Sequence, residues 1–256
     1  MISQVPNFEP RTYRRLAAAP DLTAFRLVVD ETDLCIQVRL GENADETAGL
    51  RHAKQLARDA ILTARRQIST EIALRHEFRT SLAPLPAREG APPVARGMYL
   101  AGQRAEVGPM AAVAGAIAEF VGRSLLECHP EVLVENGGDV FLASSQQRVI
   151  AVHAGRSALS GKVGLRVPGG EPVAVCTSSA TVGPSYSAGN ADAALIAAAE
   201  GAFADAMASA LGNRIRSPQD VEPAVIWACG VPGVVQALVM IGDVLGVKGA
   251  FEITRL

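Results

Sequence analysis

The chain has 256 residues, of which 49% are hydrophobic and 20% are charged, and its formal net charge is -2. This length allows a large buried core and one or two domains, and the absence of a basic run argues against a nucleic-acid partner. No apolar run is long and uninterrupted enough to predict a membrane span.

The cysteines and the first residues bear on the cellular compartment. The four cysteines are widely separated and form no CxxC pair, which argues against a local zinc site. The polar opening MISQVPNFEPRTYRRL lacks the apolar stretch of a signal peptide. We therefore expect a cytoplasmic protein with reduced thiols.

Two strands and a long helix are predicted in the first third of the chain. Residues 22–40 read as two strands joined by a turn at 30–33, and the second strand alternates apolar and polar side chains. Residues 43–82 have apolar side chains at three- and four-residue spacing, which predicts a helix. The Pro- and Gly-rich stretch 84–97 is typical of a linker or long loop and could divide what we expect to be a single domain, 1–256.

Helices and strands are mixed in the remainder. Residues 108–127, with Pro109 near the start, predict a helix rich in small side chains, and 191–212 predict another. The segments QALVMIGD and GAFEITRL predict a final hairpin. Strands are predicted at 131–135, 139–143, 148–153, 162–167 and 172–176. Because strict βαβ alternation is absent, and no internal repeat is evident, we expect an α+β fold with mixed or antiparallel sheets packed against helices.

The stretch VENGGDVFL, residues 134–142, interrupts two apolar runs with an amide, two glycines and two carboxylates. One interpretation is a tight hairpin turn, since Asn and Gly tolerate positive φ. The other is a loop whose backbone approaches a ligand, because Gly137 and Gly138 lack a Cβ. Asn136 would then bond a polar group of the ligand, and Asp139 a hydroxyl or a metal.

Two further polar clusters are candidates for chemistry. The segment CTSSATVGPSYSAGNAD, 176–192, is rich in hydroxyls and glycines, and can bind phosphates or sugar hydroxyls or form a mobile surface loop. Asp205 and Ser209 share one face of a predicted helix. Their neighbours are almost all Ala, so that Asp205 requires a partner or else lies on a solvated face. GxSxG, P-loop and Rossmann motifs are absent.

The three clusters, in this order, resemble the ApbE superfamily. The matching segments are RTYRRL, ETDLCIQV, PMAAVAGAIAE, VENGGDVFL, TSSATVGPSYSAGNADA and ADAMASALGN, which together span nearly the whole chain. The best-known members are magnesium-dependent FAD:protein FMN transferases, and the chain looks most similar to a cytosolic branch of the superfamily. The resemblance implies a T-fold-related α+β architecture with FAD or FMN and Mg²⁺ as cofactors.

The resemblance also implies roles for particular residues. The flavin-binding positions would be Asn136, Gly137, Gly138, Asp139, Thr177, Ser178 and Ser179. The magnesium ligands would be Asp205, Ser209 and a backbone carbonyl from about Ala112. Two departures stand out, since the small-residue helix has no lysine and Pro184 lies near the place of a family histidine.

Three readings therefore remain open at the level of sequence. The first is a flavin- or nucleotide-binding enzyme that uses Mg²⁺ and resembles the FMN transferases, with a small-molecule ligand as its partner. The second is an accessory protein on the same fold, since relatives in this branch are linked to sulfide incorporation into homocysteine. The third is a subunit of a homo-oligomer with a vestigial site. Neither nucleic acid nor membrane is expected as a partner.

Overall fold

A computed structural model describes residue 19 and residues 21–41, 45–181 and 188–256. The N-terminal RTYRRL motif lies outside the described residues. The same is true of the middle of the Ser-rich loop, which includes Pro184, Ser185 and Ser187.

Before residue 180, the strands lie close to where the sequence predicts them. Within the described residues the strands are β1 (Thr23–Val29), β2 (Thr32–Val38), β3 (Val132–Asn136), β4 (Asp139–Ala143), β5 (Arg148–Ala151), β6 (Val163–Val167), β7 (Val173–Ser178), β8 (Ala193–Ala198), β9 (Val234–Ile241), β10 (Val244–Gly249) and β11 (Glu252–Arg255). Two of the later strands, β8 and β10, are not predicted.

The helices of the described part of the chain lie between these strands. They are α1 (Glu46–Leu74), α2 (Glu77–Thr80), α3 (Pro93–Ala105), α4 (Val113–Leu126), α5 (Gly201–Asn213) and α6 (Val221–Gly230). Short 3-10 turns precede α4 and α6, at Pro109–Ala112 and Pro218–Asp220. Asp45 caps the start of the long helix α1, and its carboxylate accepts hydrogen bonds from the amides of Thr47 and Ala48.

Two antiparallel sheets and a layer of helices make up the fold. Eight strands form a sheet in the order β1-β2-β3-β4-β7-β8-β9-β10, and three form a smaller sheet in the order β11-β6-β5. Each strand pairing is antiparallel. The predicted α+β class, with antiparallel sheets packed against helices, is confirmed.

The large sheet is covered on both faces. Alternate residues of each strand point to opposite faces, so that Ala174 and Cys176 of β7 join the core beneath the helices. Val173 and Val175, between and beside them, join the core shared with the small sheet. The central strands are therefore apolar on both faces, and only their ends carry polar side chains.

The predicted helix over 191–212 is wrong in its first half. Residues Ala193–Ala198 form β8, which pairs with β7 and β9 in the middle of the large sheet. Every residue of β8 is buried, because α5 covers one face and the small sheet the other. This burial overrides the helical preference of the alanines. The helix itself, α5, starts only at Gly201.

The predicted C-terminal hairpin is also wrong. β9 turns at Gly242, whose φ is 60, and pairs with β10. The following strand β11 crosses to the small sheet and pairs with β6. In addition, α3 and α6 were not predicted, because prolines and glycines obscured their patterns. Pro93 occupies the start of α3, where a missing N–H costs nothing.

The segment 84–97 is bonded to α1 through side chains, and its last residues belong to α3. Arg88 forms a forked ion pair with buried Glu71 at 2.7 and 3.0 Å, and Tyr99 donates to the same carboxylate at 2.9 Å. Gln67 accepts a hydrogen bond from the Val94 amide. One cluster of buried apolar side chains draws on residues before and after this segment.

By length and hydropathy alone, the described chain does contain one helical stretch that could span a membrane, contrary to expectation. This stretch, Pro109–Leu126, has a mean hydropathy of 1.3 and is half buried within the protein. It contains α4, which packs against α1, α5 and β3. A helix that is apolar on nearly all sides is expected at such a central position.

Candidate functional site

The NGG sequence forms the tight turn between β3 and β4. Asn136 and Asp139 are the last cross-strand pair, and Gly137 and Gly138 connect them with φ of 71 and 107. Positive φ at both positions is the requirement of a type I′ hairpin, which glycine meets without strain. Among the described residues, the atom nearest to a Cβ at Gly138 would be the carbonyl oxygen of Thr177, at 3.9 Å. The hairpin interpretation is thus confirmed, and the approach of a ligand to this backbone stays a prediction.

Several predicted site residues converge at this end of the large sheet. Strand alternation places Asn136, Asp139 and Ser178 on the helix-facing side. Asn136 Nδ2 donates to the carbonyl oxygen of Ala114 at 3.1 Å, and the Thr177 amide donates to Asp139 Oδ1 at 3.1 Å. The turn, the end of β7 and the start of α4 therefore meet at one place.

Asp205 reaches the same place from α5. Its Oδ2 accepts a hydrogen bond from the Gly115 amide at 2.9 Å, so that it satisfies one of the unpaired amides in the first turn of α4. Ser209 follows one helical turn later, and both side chains are partly buried. Ala112 is buried in the 3-10 turn just before α4, and its predicted role as a carbonyl ligand stays a prediction.

The carboxyl groups of Asp139 and Asp205 both have raised pKa values. Burial raises the pKa of Asp139 well above its usual value, and the charge of Asp205 raises it further. Burial also raises the pKa of Asp205, against the opposing effect of the Gly115 and Ala114 amides. Within the described residues, no cationic side chain pairs with either carboxylate. The pair must therefore hold a proton or meet a cation.

Two side chains near the aspartates were not predicted as site residues. The Cys176 thiol lies beneath them on β7, and burial followed by the charges of Asp139 and Asp205 raises its pKa. Glu135 is buried and accepts a hydrogen bond from the Gly138 amide at 3.0 Å. Glu135 belongs to the 134–142 stretch and Cys176 to the 176–192 segment, but their positions in the sequence predict no role in binding for either of them.

The flanks of the hydroxyl-rich loop are anchored to neighbouring elements. Ser179 and Thr181 lie within hydrogen-bond distance of each other, and Thr181 Oγ1 donates to Asp192 at 3.1 Å. On the far flank, the Ala188 amide donates to Asn213 Oδ1 at 2.9 Å, at the end of α5. The described flanks of the loop therefore lie at the end of β7 and at the end of α5.

The donors at this site are almost all oxygen. Among the described residues, no group of three or more His, Cys, Asp or Glu side chains is placed to hold a metal ion. A cation here would be held by carboxylate, hydroxyl and backbone carbonyl oxygens, which are the ligands that Mg²⁺ prefers. The uncompensated charge of Asp139 and Asp205 fits such an ion.

A separate cavity of about 250 Å³ opens on the surface between α5 and α6. Its lining consists of Arg214, Asp220, Pro223, Ala224 and Trp227. None of the predicted site residues borders it. Arg214 stacks on the Trp227 ring at 3.4 Å from the centroid, so that the indole face is already covered.

Comparisons with known proteins agree with this architecture. The protein family described as "AbpE bacteria" matches residues 14–227. A UPF0280 protein of Methanocella arvoryzae is 39% identical over 193 residues, which cover 75% of this chain and 78% of the relative. A UPF0280 protein of Methanocaldococcus jannaschii is 35% identical over 231 residues, which cover 88% and 89% of the two chains.

Solved structures extend the likeness to the fold. The flavinyl transferase ApbE of Pseudomonas stutzeri, in its apo form, matches with a TM-score of 0.54 at 13% identity and covers 89% of this chain and 93% of its own. The ApbE protein of Thermotoga maritima matches with a TM-score of 0.51 at 14% identity and covers 90% and 96%. The chain therefore belongs to the bacterial AbpE family, and its fold is that of the ApbE flavin transferases.

Proposed function

We propose that the protein binds a flavin nucleotide, or another nucleotide diphosphate, together with Mg²⁺ at the end of the large sheet. The ligand would lie against residues 136–139 and Thr177, Ser178 and Ser179. The ion would lie at Asp205 and Ser209. The protein would then bind its nucleotide in a cation-dependent manner, at a site like that of the flavin transferases.

One observation carries the proposal. Buried Asp139 and partly buried Asp205 approach each other, each has a raised pKa, and no cationic side chain of the described residues pairs with either. Two such carboxylates are costly to a folded protein unless a proton or a positive ion compensates them. If stability were the only requirement, an amide or an apolar side chain would be favoured at one of the two positions.

The first turns of the nearby helices are already occupied by side chains of the protein. The Gly115 amide of α4 is bonded by Asp205, and the Gly201 amide of α5 is bonded by Glu119 at 2.6 Å. A phosphate group would therefore find its compensating charge in the ion, and its hydrogen bonds in the hydroxyl-rich loop. When bound, Mg²⁺ would neutralise phosphate charge and make the terminal group a better leaving group.

The other side chains would fix the position of the ligand. Asn136 is held against α4 by its bond to Ala114, and Asp139 is held by the Thr177 amide. Such pre-oriented groups select a ligand with little loss of side-chain entropy. The finer assignment, FMN transfer to a protein, is weakened by the missing lysine in the α4 segment. Ligand binding is therefore the first property to test.

The test measures affinity for FAD, FMN and ADP by calorimetry, each with and without Mg²⁺. We expect wild type to bind a diphosphate ligand at least about tenfold more tightly with the ion, which corresponds to about 1.4 kcal/mol. Asp205→Asn should lose that dependence. Asp59→Asn removes the same charge from the exposed face of α1 and should behave as wild type.

The outcome that contradicts the proposal is equally specific. Equal affinities with and without Mg²⁺, in both wild type and Asp205→Asn, would rule out the ion at this position. A complete absence of binding to all three ligands would rule out the nucleotide class, and would leave the accessory role in sulfide incorporation as the better reading.

A further inference from the structure

The helices α4 and α5 carry the same short motif, although no repeat was evident from the sequence. Residues 115–119 read GAIAE and residues 201–205 read GAFAD. Each motif starts with a glycine near the first turn of its helix and ends with a carboxylate one turn later. The repeat is short, and the two copies contact each other where α4 packs against α5.

The two motifs contact each other reciprocally. A Cβ on Gly115 would collide with the carbonyl oxygen of Gly201, and a Cβ on Gly201 would collide with that of Gly115. Asp205 of α5 accepts from the Gly115 amide at 2.9 Å, and Glu119 of α4 accepts from the Gly201 amide at 2.6 Å. Each helix therefore supplies the carboxylate that caps the other, and the glycines allow the approach that this requires.

The two halves differ in what compensates the capping charge. Glu119 Oε2 accepts from the Gly201 amide, and Glu119 Oε1 accepts from Arg123 Nε at 2.7 Å, one turn further along α4. At the corresponding position of α5, one turn after Asp205, the residue is Ser209. Asp205 thus makes the same cap without a cationic side chain one turn further along its helix, and it interacts with the carboxylate of Asp139.

We propose that the divalent ion at Asp205 takes the place that the Arg123 guanidinium takes beside Glu119. This inference rests on the proposed function for the identity of the ion. The ion completes a helix cap, so that binding at the site stabilises the first turn of α4. An arginine at position 209 should then replace the ion in this structural role.

The observable is hydrogen exchange of the two capped amides, followed by NMR. In the metal-free wild type, the Gly201 amide should be better protected than the Gly115 amide. Saturating Mg²⁺ should raise the protection of Gly115 about fivefold, the effect of about 1 kcal/mol on a charged cap, and leave Gly201 unchanged. Ligand binding and activity do not enter this readout.

Two variants test the equivalence from opposite sides. Ser209→Arg should give Gly115 high protection that no longer depends on Mg²⁺, whereas Ser209→Gln, of similar bulk without charge, should not. Arg123→Ser removes a largely exposed side chain, and should lower the protection of Gly201 about fivefold while Gly115 stays unchanged.

The outcomes separate the inference from the proposed function. If Mg²⁺ does not alter the protection of the Gly115 amide in wild type but Ser209→Arg raises it, the assignment of the ion is wrong and the equivalence of the two caps is supported. If Mg²⁺ protects Gly115 but folded Ser209→Arg remains fully dependent on it, the equivalence is overturned. Should Ser209→Arg fail to fold, unchanged Gly201 protection in Arg123→Ser overturns it instead.

Discussion

The two ends of β3 and β4 show opposite ways of placing a carboxylate in a protein. At one end, buried Glu131 accepts from Arg39 Nε at 2.9 Å and from Arg148 Nη2 at 2.8 Å, and Asp21 bonds both arginines. Burial alone would raise the pKa of Glu131. The hydrogen bonds from Ser144 and the two arginines outweigh that effect and lower the pKa to about 2.

At the other end, the part of the chain that the structure describes supplies no such partner. Asp139 and Asp205 are held by backbone amides, and burial and mutual repulsion raise the pKa of Asp139. Glu131 has its charge compensated by the fold, whereas Asp139 and Asp205, without such a partner among the described residues, are candidates for binding a cation. The same substitution, carboxylate to neutral, should therefore have opposite effects at the two ends.

The largest expected effect is at the compensated end. Glu131→Ala removes one of the carboxylates that pair with the Arg148 guanidinium, a side chain that is only 11% exposed. We expect the free energy of unfolding to fall by about 3 kcal/mol, as when one partner of a buried ion pair is deleted. Urea denaturation at pH 7 measures it, and Glu127→Ala at the exposed end of α4 is the matched control.

The pH dependence of this effect has a definite sign. Because the folded pKa of Glu131 is depressed from 4.5 to about 2, its contribution to stability is present above pH 4.5 and is lost as the pH falls towards 2. The difference between wild type and Glu131→Ala should shrink over that window. A difference below about 1 kcal/mol at pH 7 would place Glu131 among the weak surface pairs.

The next effect has the opposite sign. Asp139→Asn keeps the acceptor for the Thr177 amide and removes a buried charge beside Asp205. In metal-free buffer at pH 8 we expect the variant to be about 1–2 kcal/mol more stable than wild type, because like-charge repulsion and desolvation are relieved. Asp243→Asn, in the exposed turn after β9, should show no gain.

This gain should depend on pH and on the ion. A raised carboxyl pKa stabilises the folded state at low pH, and that stabilisation is lost as the pH rises through the folded pKa. The advantage of Asp139→Asn should therefore be absent near pH 4 and appear by pH 8. Saturating Mg²⁺ should stabilise wild type and reverse the order. A destabilised variant at pH 8 without metal would show that the two ends are alike.

Local signals and long-range contacts account for what the sequence could and could not predict. The 136–139 turn follows from residues adjacent in sequence, and α1 follows from its own periodicity. The strand β8 was missed because its apolar faces are explained only by α5 and the small sheet. The sequence predicts separate roles for Asp139 and Asp205, but their mutual repulsion arises from packing that no local pattern encodes.

The smallest expected effect concerns the turn between β3 and β4. Gly138 has φ of 107, which an L side chain adopts only with strain, so that Gly138→Ala should cost about 1 kcal/mol of stability. Gly137 has φ of 71, which asparagine tolerates, so that Gly137→Asn should stay within about 0.5 kcal/mol of wild type. Thermal unfolding distinguishes the two.

Ligand affinity in the same two variants then decides what the glycines are for. Among the described residues, no atom lies closer than 3.9 Å to the added methyl at Gly138, so that no clash with them competes with a clash with the ligand. If the backbone approaches the ligand, Gly138→Ala should weaken binding about tenfold or more at a temperature where both variants are fully folded. If both variants bind like wild type, the glycines serve the hairpin alone, and recognition depends on the Asn136 and Asp139 side chains.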